Sequence, residues 1–232
     1  MRISGNWALI PVKSAVEAKT RLAGKLCLQQ RIRLQRAMLA DLLEGLAACR
    51  LLSGIALYGP ETRTAEEGTY LRVIHLRQPA DVQGLNGAVS DGTQCLVEAG
   101  ADVVAVLPGD LPLAEGEELD RVLSNVAQRR CCAVIPDRWR NGTNGLVFPA
   151  EAHLRFSFGP ESFERHLSER QACSSEALEL TSFALDIDTT EDLIAFRQAQ
   201  QWPRGRFTRA VIDGIAREIG DAAEVSAKEI YQ

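Results

Sequence analysis

The sequence predicts an α/β domain built as three layers around a mostly parallel, twisted sheet of the Rossmann-like kind, and three observations predict it. An unbroken apolar run, Val103-Val104-Ala105-Val106-Leu107, has the character of a strand buried on both faces, and Pro108-Gly109 stops it abruptly. Strand and helix periodicities alternate along most of the chain, the pattern of parallel strands joined by crossover helices. A carboxylate, Asp110, stands at the carboxyl end of the central run, the edge at which open parallel sheets bind ligands.

Residues 6–12 (Asn-Trp-Ala-Leu-Ile-Pro-Val) read as the first strand. It runs into a loop carrying Lys13, Lys19 and Arg21, which is either a solvated basic loop or a phosphate clamp without Walker or Rossmann glycine spacing. Residues 29–50 place Ile32, Leu34, Met38, Leu39, Leu42, Leu43 and Leu46 at helical spacing and predict a long amphipathic helix. Residues 55–58 and 71–76 read as short strands, and His75 in the second reads as structural. A turn-rich stretch, residues 79–87, leads into a helix over 88–98, where Asn86 suits an N-cap or a base-reading amide.

After Asp110, whose Pro-Gly-Asp setting also suits a plain turn, the pattern predicts a helix over 115–129 and a strand over 131–136. Residues 137–145 are too polar and glycine-rich for regular structure and predict a lip on the same rim, returning into a strand over 146–148. Pro160 suits the first position of a helix whose free N–H groups, at Ser162 and Phe163, either bind an anion or are simply capped. Residues 184–188 read as a short strand that places Asp186 and Asp188 on one face, before Thr189 or Thr190 caps a last helix. Beyond Trp202, the stripe Phe207, Ala210, Val211, Ile215 and Ile219 predicts a helix that packs on the domain or on a partner subunit.

The 232 residues, 46% of them hydrophobic, suffice for one large domain. A net charge of −5 gives no global basic field for nucleic acid or an anionic membrane. No signal peptide or bilayer-length apolar run is present, which predicts a cytoplasmic protein. Cys27, Cys49, Cys95, Cys131, Cys132 and Cys173 contain no Cys-x-x-Cys pair and are expected as reduced thiols, with neither zinc nor disulfides.

Five clusters, in order, resemble the CofC/FbiD family, the guanylyltransferases of coenzyme F420 biosynthesis, within the wider molybdopterin-guanylyltransferase-like and nucleotide-diphospho-sugar-transferase fold. They are Ile10-Pro11-Val12-Lys13 with residues 18–22, Gly109-Asp110-Leu111-Pro112, Asp137-Arg138 with Gly142-Thr143, residues 158–162 with Arg165-His166, and Asp186-Ile187-Asp188-Thr189. The resemblance covers residues 6–200 and implies a nucleotidyltransferase domain over 1–200 with a helical tail over 201–232. It implies that GTP is attacked by the phosphate of a three-carbon phospho-acid (2-phospho-L-lactate, phosphoenolpyruvate or 3-phospho-D-glycerate), releasing pyrophosphate. By the same resemblance Asp110, Asp186 and Asp188 hold Mg²⁺, expected as two ions. Lys13, Lys19 and Arg21 are then catalytic groups on the triphosphate, joined in nucleotide binding by Asn86, Pro108 and Gly109. Thr143, Gly159 and Ser162 hold the acceptor. A downstream F420 transferase and a homodimer are the partners it suggests; nucleic acid and membrane are not. A sugar-phosphate or molybdopterin nucleotidyltransferase, and a non-catalytic nucleotide-binding regulator, are the competing readings.

Overall fold

The computed structural model describes residues 2–14, 17, 19–60, 72–168, 173–199 and 203–230, with side chains as far as Glu218. Among them are strands β1 (Asn6–Pro11), β2 (Leu52–Gly59), β3 (Val73–Arg77), β4 (Val103–Val106), β5 (Cys132–Pro136), β6 (Thr143–Pro149) and β7 (Ser175–Ala177). They form one sheet in the order β3-β2-β1-β4-β6-β5-β7. β6 is antiparallel to β4 and β5, and the other described pairs are parallel.

This order locates the site. From β1 the chain progresses outward through β2 and β3, then crosses back to place β4 on the other side of β1. β1 and β4 are therefore parallel neighbours whose outgoing connections diverge, and a crevice opens outside their carboxyl ends. The Lys13 loop leaves one of these ends and Asp110 follows the other.

The alternation along β1 builds the layers: Ala8 and Ile10 enter one core, Trp7 and Leu9 the other. The first core is covered by α1 (Leu28–Leu46) and α3 (Gly116–Arg129), through Leu39, Leu42, Leu43, Leu119, Val122 and Val126. The second is covered by α2 (Gly84–Ala99) and α4 (Ser162–Ser168), through Val89, Leu96 and Phe163. Each such fully buried side chain contributes roughly 1.5–3 kcal/mol. A third cluster lies outside α1, where Leu34 and Met38 meet Ile187, Phe196 of α5 (Thr190–Gln198), and Ile212 and Ile215 of α6 (Arg206–Ile230). The tail helix thus packs on the chain itself, through Ile212 and Ile215, while Phe207 is exposed. Ile219 lies beyond the described side chains. Among the described residues no helix is long and apolar enough to cross a membrane.

Several local expectations are corrected. The first helix stops at Leu46 rather than residue 50, because Asp120 of α3 accepts the N–H groups of Arg50 (3.1 Å) and Leu51 (2.8 Å) and turns the chain toward β2. The helix predicted over 88–98 begins at Gly84, with Gln83 at its N-cap, so Asn86 lies inside the first turn and is not a cap. The lip is shorter than expected, since Thr143, Asn144 and Gly145 already belong to β6. Residues 184–188 form no strand. They follow a 3₁₀ turn, Thr181–Phe183, and are pinned individually: Arg138 N–H donates to the Ala184 carbonyl (2.8 Å) and Ile187 N–H to that of Asp110 (3.3 Å). The edge strand β7 is polar and gives no apolar pattern to read. Cys132 and Cys173 form a disulfide rather than staying reduced; the pairing of Cys132 with Ser175 in β5·β7 brings together two residues separated by 41 positions. Leu71, which the second short strand was expected to include, and Ala15, Val16 and Ala18 of the basic loop lie outside the described residues.

Candidate active site

The crevice outside β1 and β4 is a cleft of about 520 Å³. One wall carries Lys13, Lys19 and Arg21, and the floor carries Pro108, Gly109 and Asp110. The opposite wall carries Thr143, Gly159 and Ser162, with Asp186 and Asp188 between. Eleven of the twelve residues singled out in the sequence therefore meet in one cavity. The twelfth, Asn86, does not line it. Its side chain clasps the backbone of Phe158, accepting from the N–H at 2.7 Å and donating to the carbonyl at 3.1 Å, and so holds the loop that presents Gly159.

Carboxylate oxygens of Asp110, Asp186 and Asp188 lie within 4.8 Å of one another. Crowded anions of this kind need a cation. Lys19, with a side chain only 7% exposed, donates to Asp110 and, at 2.8 Å, to Asp188; Arg21 reaches Asp188 at 3.3 Å. Burial alone would lower the Lys19 pKa, but the two carboxylates outweigh it and hold the ammonium above its ordinary value. Burial likewise works against ionised Asp188, and Lys19, with Arg21 and Lys13 behind it, reverses this and lowers its pKa. Among the described residues Asp186 has no such cation. Burial, then Asp110 and Asp188, push its pKa up to about 6. One oxygen of Asp110, Oδ1, is buried without a hydrogen-bond partner. An acidic triad with an orphaned buried oxygen and a carboxylate whose pKa is raised by burial and then by like charge fits a hard divalent cation.

Lys19 reaches the triad from a left-handed backbone, φ 46°, at the start of the 3₁₀ turn Thr20–Leu22. A non-glycine residue there costs on the order of 1–3 kcal/mol, and such strain gathers at functional sites. Gly159 has φ 127°, a region that side chains avoid. Pro160 does not open the helix as its position suggests. Glu161, at φ 59°, intervenes, and α4 begins at Ser162, whose N–H donates back to the Gly159 carbonyl at 3.1 Å.

Four supporting residues carry no assigned role in the sequence reading. Asn144 in β6 is buried and donates to the carbonyl of Phe183 (2.9 Å) and toward Asp186 Oδ1 (3.4 Å), locating that carboxylate. Asp192 accepts from the N–H groups of Asp188 (3.0 Å) and Thr189 (2.7 Å) and pairs with Arg138. The Thr189-x-x-Asp192 spacing is a capping-box signal that could have exposed it. Asp137 accepts from the N–H groups of Trp139, Asn141 and Gly142 at 2.9–3.0 Å and shapes the lip. His166 is fully buried behind Thr143.

Residues 6–197 match the family described as guanylyl transferase CofC like. A phosphoenolpyruvate guanylyltransferase of Conexibacter woesei is 33% identical over 216 residues, 91% of this chain and 96% of that protein. One from Rubrobacter xylanophilus is 34% identical over 189 residues, 81% and 91% of the two chains. Among solved structures, a Desulfovibrio desulfuricans G20 protein assigned as a nucleotide-diphospho-sugar transferase superposes with a TM-score of 0.64 at 20% identity, covering 93% of this chain and 98% of that one. A 4-diphosphocytidyl-2C-methyl-D-erythritol synthase from Anaerococcus prevotii gives 0.55 at 12% identity, covering 84% and 99%. These last two share the fold.

Proposed function

Because the chain belongs to the CofC-like guanylyl transferase family, and is thus a nucleotidyltransferase, we propose that it transfers GMP from GTP to a three-carbon phospho-acid and releases pyrophosphate. Phosphoenolpyruvate is the first acceptor to test, since the relatives bear its name. The observation that carries the reading is the convergence in one cleft of an acidic triad, three cations and the Thr143–Gly159–Ser162 wall.

In the reaction an acceptor phosphate oxygen attacks the α-phosphorus of GTP, a new P–O bond forms, and the bond to the β-phosphate oxygen breaks as pyrophosphate leaves. A phosphate monoester, with a second pKa of about 6, is already ionised at neutral pH, so no general base is required. The histidine nearest the cleft agrees with this: burial and then Arg165 hold its pKa down to about 4, and both ring nitrogens are engaged within the protein. What the chemistry needs is neutralisation of two anions brought together. Lys13, Lys19 and Arg21 supply cations to the triphosphate. Pro108 and Gly109 line the cleft where the nucleotide lies, and Thr143, Gly159 and Ser162 hold the acceptor's carboxylate.

Asp110, Asp186 and Asp188 would hold Mg²⁺, which when bound offsets charge on the transferring phosphoryl group. The structure of the cleft supports this assignment through the orphaned Asp110 oxygen and the crowded carboxylates. In a cell the product would serve coenzyme F420 assembly in the cytoplasm, consumed there by an F420 transferase. A pyrophosphate-release assay from GTP with phosphoenolpyruvate, 2-phospho-L-lactate and 3-phospho-D-glycerate tests the reading. Acceptor-dependent release with one of them supports it. GTP binding with no release in any mixture would indicate a nucleotide-binding regulator instead.

A further inference from the structure

We infer that His166 is a positioning residue of the acceptor site, fixing the hydrogen-bond polarity of the buried Thr143–Ser162 hydroxyl pair so that the pair presents a hydrogen to an anionic acceptor group. The inference deepens the phospho-acid reading and rests on it for the identity of the acceptor.

The argument is a count of hydrogens. The Ser157 backbone N–H, which can only donate, lies 3.1 Å from His166 Nε2, so Nε2 accepts. A neutral imidazole must then carry its proton on Nδ1, which lies 2.9 Å from Thr143 Oγ1 and donates to it. Thr143 Oγ1 is also 3.1 Å from Ser162 Oγ. The two hydroxyls own two hydrogens, and their mutual bond uses one. The other cannot turn toward His166, because the Nδ1–H already occupies that line. Thr143 and Ser162 both line the cleft, so the remaining hydrogen is left for it.

The opposite tautomer would reverse this. An unprotonated Nδ1 would draw the spare hydroxyl hydrogen inward, and oxygen lone pairs would face the cleft and repel a carboxylate. The ring is held in place by its complete burial and by an edge-on contact with Phe158, with centroids 4.9 Å apart. Its lowered pKa, about 4, keeps it neutral at pH 7, so the tautomer and not the charge is the operative property.

The test compares His166→Leu, His166→Asn, Thr143→Val and the His166→Leu/Thr143→Val double variant in full-length enzyme. His166→Leu takes away the donor that anchors the Thr143 oxygen and leaves the hydroxyl pair free to turn its hydrogen out of the cleft, and it should raise the phosphoenolpyruvate KM at least tenfold while the GTP KM stays within twofold. His166→Asn, which retains an N–H donor near the Nδ1 position, should return the acceptor KM to within about threefold of wild type. The double variant should be no worse than Thr143→Val alone, because without the Thr143 hydroxyl the His166 Nδ1–H has nothing left to orient. Equal rises in both KM values, additive losses in the double variant, or no rescue by Asn would overturn the assignment and leave His166 as a packing residue. If His166→Leu fails to fold, long-range ¹H–¹⁵N spectra of the wild-type protein decide: protonated Nδ1 supports the proposal, and protonated Nε2 overturns it. Failure of the guanylyltransferase reading shows differently, as wild-type enzyme without turnover on any phospho-acid whatever tautomer is observed, and it removes the acceptor role.

Discussion

The Lys19 ammonium donates to Asp188 at 2.8 Å from a site where it also meets Asp110. The chain thus carries its own cation against an acidic cluster that would otherwise be unbalanced. Lys19→Met should destabilise the metal-free protein by roughly 2 kcal/mol, below the 3–5 typical of a broken buried pair because Asp188 is 37% exposed. Mg²⁺ should recover part of the loss. Urea denaturation in EDTA and in Mg²⁺ measures both, and unchanged stability in EDTA would contradict the balancing role.

Asp186 gives a pH dependence whose sign is fixed. Its folded pKa, about 6, lies above the ordinary value of 3.8, so its contribution to stability is fully present below about pH 4 and is lost as pH rises through 6. Asp186→Asn abolishes that loss. In EDTA the variant should gain on the order of 2–3 kcal/mol relative to wild type between pH 4 and pH 7. Denaturant titrations at the two pH values test it, and a constant difference between the proteins would show that Asp186 is not held back from ionising.

The clasp of Asn86 on Phe158 separates two roles for that residue. Asn86→Ala should loosen the loop before Gly159 and raise the acceptor KM about tenfold, the effect of losing one to two hydrogen bonds. The GTP KM should move less than threefold. A larger effect on GTP would assign Asn86 to nucleotide recognition, the role expected of it by resemblance.

Asp41 of α1 is 1% exposed and accepts the N–H groups of Phe207 (3.0 Å) and Thr208 (2.7 Å), capping α6 from another helix. We propose that the tail braces the domain without taking part in the chemistry. Asp41→Ala should lower stability by about 1–2 kcal/mol through the lost cap and leave kcat within twofold. A variant with normal melting and lost turnover would place the tail in the site. The domain boundary expected at residue 200 lies outside the described residues.

What could be read from the sequence was what local patterns carry. The apolar run of β4, the periodicity of α1 and the carboxylates at segment ends are visible within a few residues, and they located the sheet, one helical layer and the acidic triad. Features that depend on distant pairing were hidden. Asn86 finds its partner 72 positions away, Cys132 and Cys173 meet only because β7 pairs with β5, and β7 itself is a polar edge. The 184–188 segment shows the reverse error: its period-two alternation put Asp186 and Asp188 together correctly, but isolated bonds to Arg138 and Asp110 hold it, not a ladder.

The central claim is that Asp110, Asp186 and Asp188 jointly hold Mg²⁺ for phosphoryl transfer, and Asp110→Asn tests it most directly because the change keeps the shape and removes one charge. Mg²⁺-dependent pyrophosphate release from GTP and phosphoenolpyruvate, paired with a melting curve in EDTA, is the measurement. Turnover should fall at least a hundredfold, about 3 kcal/mol in transition-state stabilisation, while the metal-free protein stays folded, because relief of carboxylate repulsion offsets part of the lost pairing with Lys19. Near-normal turnover in Asp110→Asn would contradict the account.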